Sequence, residues 1–148
     1  MATLIFEKQI NASAQKVWNV LWNKDTYGQW TLPFNPVSRM ETDWKVGGKT
    51  YFLDADGNGM VTTIDSIHEP HELVFRQLGE VNNGLEDTTS EKVRLYVGSF
   101  EKYFLLETDG TTKLNVSVDT SEEYRDFMEK AFIEGLEIVK KLAEENEK

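Results

Sequence analysis

Apolar and polar side chains alternate through residues 3–10, TLIFEKQI, and this places Leu4, Phe6 and Ile10 on one face of a predicted first strand. The period then lengthens. Asn11-Ala12-Ser13 supplies helix-capping chemistry, and Val17, Trp18 and Leu21 fall at helical spacing, with Trp22 four residues beyond Trp18. Tyr27-Gly28-Gln29-Trp30 ends a second short helix, and Pro33 and Pro36 break the chain behind it. From residue 37 to 119 strands and turns follow one another. The turns fall at Lys45-Val46-Gly47-Gly48, at 54–59 and at His68-Glu69-Pro70-His71. SRMETDW, KTYFL and Leu73-Val74-Phe75 read as strands. So do two longer regions, 93–107 and 112–119, joined by the hairpin signal Asp109-Gly110. Residues 79–91, GEVNNGLEDTTSE, read as a polar, mobile loop.

The last segment has the clearest pattern. Thr120 or Ser121 caps a helix predicted over 122–142, and Glu122 and Glu123 suit its N-terminal dipole. Tyr124, Phe127, Met128, Ala131, Phe132, Leu136, Val139 and Leu142 form a broad apolar stripe, with Phe132 and Val139 facing the sheet. Gly135 lies inside it, where glycine costs about 1 kcal/mol against alanine. Close approach of the helix backbone to the sheet, or space for a ligand, would account for it.

This order of elements predicts one α+β domain over residues 1–148 with a helix-grip fold. A curved antiparallel sheet of about seven strands surrounds the long C-terminal helix, and two short helices follow the first strand. A curled sheet and a straight helix cannot touch everywhere, so a pocket is expected where they part. Each inward aromatic alone is ordinary core. Taken together, Trp30, Phe34, Phe52, Phe75, Phe100, Tyr103, Met128 and Phe132 are the candidate ligand-binding residues. Tyr51, Phe104 and Phe127 complete the aromatic set. The pocket should be of ordinary ligand size, about 300–1,000 Å³, and entered near Trp30–Phe34 and the 79–91 loop.

Composition narrows the functional classes. The 148 residues are 39% hydrophobic and 28% charged, which fits neither disorder nor a membrane protein. No apolar run approaches the roughly 20 residues needed to span a bilayer, and the N-terminus has no signal-peptide pattern. With no cysteine there is neither disulfide nor thiol nucleophile. The default expectation is a cytoplasmic protein. A net charge of −10 opposes nucleic acid and anionic membrane surfaces as partners. The acid-rich final segment reads as a solvated helix face.

Residues 54–65, DADGNGMVTTID, have the oxygen spacing and central glycine of a calcium loop. Strand-like flanks and Asp at the twelfth position make a hairpin turn the expected structure, without tight calcium binding. His68 and His71 lack further zinc ligands and read as solvated turn residues. Arg76, Lys92, Arg94 and Lys102 lie on predicted strands, where one pointing inward would anchor a ligand carboxylate. No catalytic residue, metal or cofactor is expected.

Several segments together resemble a known family. They are Ile10-Asn11-Ala12-Ser13 to Val17-Trp18, then Trp30, Lys45-Val46-Gly47-Gly48, the 54–59 hairpin and Pro70-Leu73-Phe75. They continue with Phe100-Glu101-Lys102-Tyr103 to Leu105, Asp109 to Leu114, and Glu122-Glu123-Tyr124 with Phe132 and Leu136. This order is similar to that of the START-like superfamily of polyketide cyclases and lipid-transport proteins. Within it, the chain resembles the branch named after the C-terminal domain of the activator of heat-shock-protein-90 ATPase. The resemblance implies binding of a small apolar or amphipathic ligand without catalysis as the leading function. It leaves two alternatives: a protein-interaction module related to the chaperone activators, and a cyclase- or hydrolase-type enzyme. The first is weakened because the eukaryotic activators carry an additional N-terminal domain for which 148 residues leave no room. The second requires a buried His, Asp or Tyr in the pocket.

Overall fold

The structure, a computed structural model, describes residues 1–145. Strand β1 (Ala2–Ile10) is followed by helices α1 (Ala14–Trp22) and α2 (Lys24–Trp30). Then come β2 (Arg39–Thr42), β3 (Lys49–Leu53), β4 (Gly59–His68), β5 (Glu72–Asn82) and β6 (Leu85–Asp87). A short helix α3 (Glu91–Arg94), strands β7 (Phe100–Thr108) and β8 (Thr111–Thr120), and the long helix α4 (Arg125–Glu145) complete the chain. All strand pairs in the sheet are antiparallel, in the order β1-β8-β7-β5-β4-β3-β2, with β6 paired to β5. This is the α+β helix-grip architecture that the element order implied. No helix among the described residues is long and apolar enough to cross a membrane.

Local chemistry sets the joints. The Ser13 hydroxyl accepts from the Lys16 amide at 3.1 Å and starts α1. Glu107 on β7 accepts from the Ala14 amide at 2.7 Å and holds that start against the sheet. Register shifts in β4 between Val61 and Thr62, and between Ile64 and Ser66, bend the strand in the way β-bulges do.

Three boundaries differ from the sequence reading. Residues 79–91 do not form a loop. They carry the end of β5, a two-residue turn at Asn83-Gly84 with positive φ at both residues (53° and 78°), and β6. The Asn-Gly hairpin signal lay inside the polar stretch and outweighed its loop-like composition. The strand expected over 93–107 begins only at Phe100. Ser90 caps α3 by accepting from the Val93 amide at 3.3 Å, and Val93 is fully buried. The final helix opens as a 3₁₀ turn, Glu122–Tyr124, and is α-helical only from Arg125.

Helix α4 packs against β1, α1 and α2. Phe132 stacks on Phe6 at 5.1 Å between ring centroids, and Leu136, Val139 and Ala143 are buried beyond it. Gly135 makes a close approach, but to α2 rather than to the sheet. A Cβ there would lie 2.8 Å from the Trp30 carbonyl oxygen. At the other end of the helix the expected apolar stripe is uncovered, with Tyr124 55% and Phe127 51% exposed.

Candidate functional site

The inward face of the sheet is built of cross-strand rows, because side chains alternate in direction along each strand and align across neighbours. One row runs Leu73, Tyr103, Val116 and Phe6 across β5, β7, β8 and β1. The next runs Ile64, Phe75, Glu101, Val118 and Leu4 across β4, β5, β7, β8 and β1. Glu101 is the single charged member of that second row.

In front of these rows, where α4 and the end of α2 stand off the sheet, lies a cavity of about 490 Å³. Trp30 and Phe34 wall it from the α2 side, Phe127, Met128 and Phe132 from α4, and Phe52 and Met60 from the β3–β4 hairpin. Glu101 and Tyr103 contribute from β7 and Gln77 and Glu80 from β5, while Tyr96 lies between α3 and β7. Trp22 and Tyr27 complete the wall and also face a smaller neighbouring cavity with Ser38 and Arg39. The aromatic wall is interlocked. Trp22 meets Tyr103 edge-on at 4.9 Å, and Phe34 meets Phe132 at 4.8 Å. The Trp30 indole N–H donates to the Leu21 carbonyl at 2.9 Å, so that ring is held in place.

Of the eight aromatic and methionine candidates, Trp30, Phe34, Phe52, Phe100, Tyr103, Met128 and Phe132 line this space. Phe100 does so at the start of β7, where its ring carries the Lys102 ammonium at 4.7 Å and alternates in direction with Glu101 and Tyr103. Phe75 does not line the cavity. It stands one layer behind, edge-on to Phe52 at 5.1 Å and to Trp22 at 5.7 Å. Two rings cannot both be outermost along one line of sight, and Phe52 and Trp22 occupy that position.

The sequence reading missed the polar end. The Tyr103 hydroxyl donates to Glu101 at 2.7 Å. Protein surrounds that carboxyl group, leaving it open only toward the cavity. Burial holds it above the usual carboxylate range, and the bond from Tyr103 partly offsets this. Burial first, then the charge of Glu101, raises the Tyr27 and Tyr103 phenols. Burial also raises Tyr96, helped by the nearby Glu80 carboxylate. Among the described residues, Gln77 Oε1 and Trp22 Nε1 are buried without a hydrogen-bond partner, and the Tyr96 hydroxyl is turned toward the Glu80 carboxylate. All three residues belong to the cavity wall. Buried polar atoms without a partner are scarce in folded proteins, so the Gln77 and Trp22 atoms give this otherwise aromatic wall a polar end.

The other chemical candidates lie elsewhere. Arg76 pairs with Asp65 at 3.4 Å, and Lys92 reaches Glu80 at 3.3 Å from an exposed position. Neither they nor Arg94 and Lys102 line the cavity; the arginine that does is Arg39. His68 and His71 are exposed at the β4–β5 turn, away from the cavity. In the 54–59 turn, Asp54 Oδ1 accepts from the Asp56 and Asn58 amides at 2.9 and 3.0 Å, while Asp65 lies well along β4. Among the described residues no group of three or more His, Asp or Glu side chains is arranged to hold a metal ion.

This combination of fold and cavity defines a START-like, helix-grip protein. The family described as activator of Hsp90 ATPase homolog 1-like protein matches residues 11–144, and the chain belongs to it. No curated protein sequence matches the chain. Among solved structures it is similar to protein MLL2253 from Mesorhizobium loti, with a TM-score of 0.72 at 13% identity, covering 99% of this chain and 100% of that one. It is also similar to the Aha1 dimer from Colwellia psychrerythraea, at 0.64 and 14%, covering 97% and 94% of the two chains. A third is DynU16, of the dynemicin biosynthetic locus, at 0.68 and 14%, covering 96% of this chain and 47% of that one.

Proposed function

We propose that the protein binds a small amphipathic ligand in the helix–sheet cavity and does so without catalysing its conversion. One observation carries the reading: a space of about 490 Å³, walled by locked aromatic rings, holds unpartnered polar atoms among its lining residues. That volume lies within the ordinary range for ligand pockets, about 300–1,000 Å³. Apolar walls supply affinity through buried area, and a few polar groups orient the guest. Titration with an environment-sensitive apolar fluorophore tests the reading, with quenching of the cavity tryptophans as a second signal. Saturable binding at one site is the expected result. Absence of binding by the folded protein would sink it.

The Glu101–Tyr103 pair favours a second reading, a cyclase- or hydrolase-type enzyme, because it places a carboxyl and a phenol where a substrate would lie. The family description raises a third, chaperone interaction. Stimulation of a heat-shock-protein-90 ATPase by the purified chain would favour the third reading. Native mass spectrometry of protein from its own host would identify a bound guest directly.

A further inference from the structure

The ionisable groups around the cavity are unequally committed. Arg39, the one cation among the described residues of its wall, is paired with Glu41 at 3.0 Å. Asp54 caps its own turn, and Asp119 accepts from the Thr3 hydroxyl at 2.7 Å and from the Phe100 amide at 3.0 Å. Glu80 meets Lys92 at 3.3 Å. Glu101 differs. Its one hydrogen bond comes from Tyr103, and among the described residues no lysine or arginine lies in ion-pair reach of it.

The neighbours of Glu101 match that vacancy in charge. The Gln77 Oε1 acceptor is buried and unpartnered, and Gln77 sits diagonal to Glu101 across the β5–β7 pair, beside the Phe75–Glu101 register position. The Tyr96 hydroxyl, turned toward the Glu80 carboxylate, keeps its oxygen lone pairs as acceptors. Nearby rings belong to Trp22, Tyr27 and Tyr103, and aromatic rings attract cations rather than anions at their faces. A carboxylate guest would meet like charge at Glu101 and an acceptor at Gln77, with the Trp22 indole N–H as a donor against them. A neutral guest would leave the Glu101 carboxyl without a counter-charge, which is costly in a dry site.

Resting on the ligand-binding reading above, we propose that the deep polar end of the cavity takes the protonated amine of an amphipathic ligand. Glu101 is its counter-ion, Gln77 and Tyr96 are further hydrogen-bond partners, and the ligand's apolar body extends toward Phe34 and Phe127. The unpartnered Trp22 indole N–H would serve an oxygen carried near the amine.

Three probes sharing one skeleton test this: phenethylamine, phenethyl alcohol and phenylpropionate, titrated calorimetrically into the full chain. A charge-assisted contact should make the amine bind about ten- to hundredfold more tightly than the alcohol, with the carboxylate weakest. In Glu101→Gln the ratio of amine to alcohol affinity should fall by about tenfold or more, and Glu101→Asp should restore part of it. Near-UV circular dichroism checks that both variants keep their packing. If the alcohol or the carboxylate binds the wild type as tightly as the amine, the inference is wrong. It is equally wrong if the preference survives Glu101→Gln. Should the alcohol bind with no gain for the amine, the cavity reading stands and only this inference falls. Should no probe bind, including the apolar fluorophore, both fall together.

Discussion

Around Leu136, Val139 and Ala143 helix α4 is sealed, whereas around Phe127 and Met128 the same helix leaves about 490 Å³ of space between itself and the sheet. Both halves carry large apolar side chains at helical spacing. In the sealed half they meet β1 and α1 directly, and Val139 is wholly buried. In the open half Phe127 is half exposed, because the sheet opposite presents Glu101 and Gln77 rather than an apolar surface to close on. The difference teaches that one amphipathic stripe can do two jobs. The sealed half holds the helix to the fold with close-packed contacts. The open half contributes cavity wall, and its apolar side chains there are only partly packed. Phe132 and Gly135 mark the border between the two.

The largest effect is expected at that border. Phe132 is 2% exposed and touches Phe6 and Phe34, so Phe132→Ala should destabilise the protein by about 3–5 kcal/mol in denaturant titration. A loss below about 1 kcal/mol would mean that this part of the helix is not sealed. Gly135→Ala comes next. Alanine is the better helix former by about 1 kcal/mol, yet its Cβ would lie 2.8 Å from the Trp30 carbonyl oxygen, a backbone atom that cannot swing aside. A net loss of about 1–3 kcal/mol is expected from overpacking. A gain in stability would show that α2 yields and that the border is soft.

The third test sits in the open half and has the opposite sign. Burial raises the Glu101 carboxyl above its unfolded value, so between those two values the folded chain holds a proton that the unfolded chain has released. Stability therefore falls as pH rises from the ordinary glutamate range through the raised one. Tyr103 and Tyr27 are the titratable groups that act on Glu101, and among the described residues no cation pairs with it. Glutamine does not titrate and still accepts from Tyr103. Glu101→Gln should thus stabilise the protein by about 1 kcal/mol at neutral pH, and by less near pH 4. Thermal melts across pH check this, and a pH-independent difference would show that the carboxyl is not dry. The smallest effect is expected for Phe127→Ala, below about 1 kcal/mol, since the ring is half exposed. A larger loss would mean that the open half is closed in solution.

Much of the fold was legible in the chain. Alternation marked β1, the Ser13 cap marked α1, Asp109-Gly110 marked the β7–β8 hairpin, and the helical stripe marked α4. Polar composition hid the Asn83-Gly84 hairpin, because side-chain polarity describes solvent contact and not backbone pairing. At the site, choosing aromatics found seven lining residues and misplaced Phe75. Phe100 and Tyr103 are three residues apart, an odd spacing that puts them on opposite faces of β7, and the same alternation put Glu101 inward with Tyr103 and Leu105. That signal was present in FEKYFLLET. An aromatic-only choice of candidates passed over it.

What the sequence determined by itself is the set of local decisions: where strands alternate, where a cap or turn stops an element, and which face of each element is apolar. These depend on neighbours a few positions away, through the pleat of a strand and the turn of a helix, and so they can be read in a line of letters. Only the tertiary structure decided that α4 lifts from the sheet beyond Phe132, that Phe52 stands in front of Phe75, and that Glu101 lies in an apolar row without a cation. Those outcomes depend on distances between segments far apart in the chain. Close packing sets such distances collectively, through many side chains at once, so no single stretch of sequence carries them.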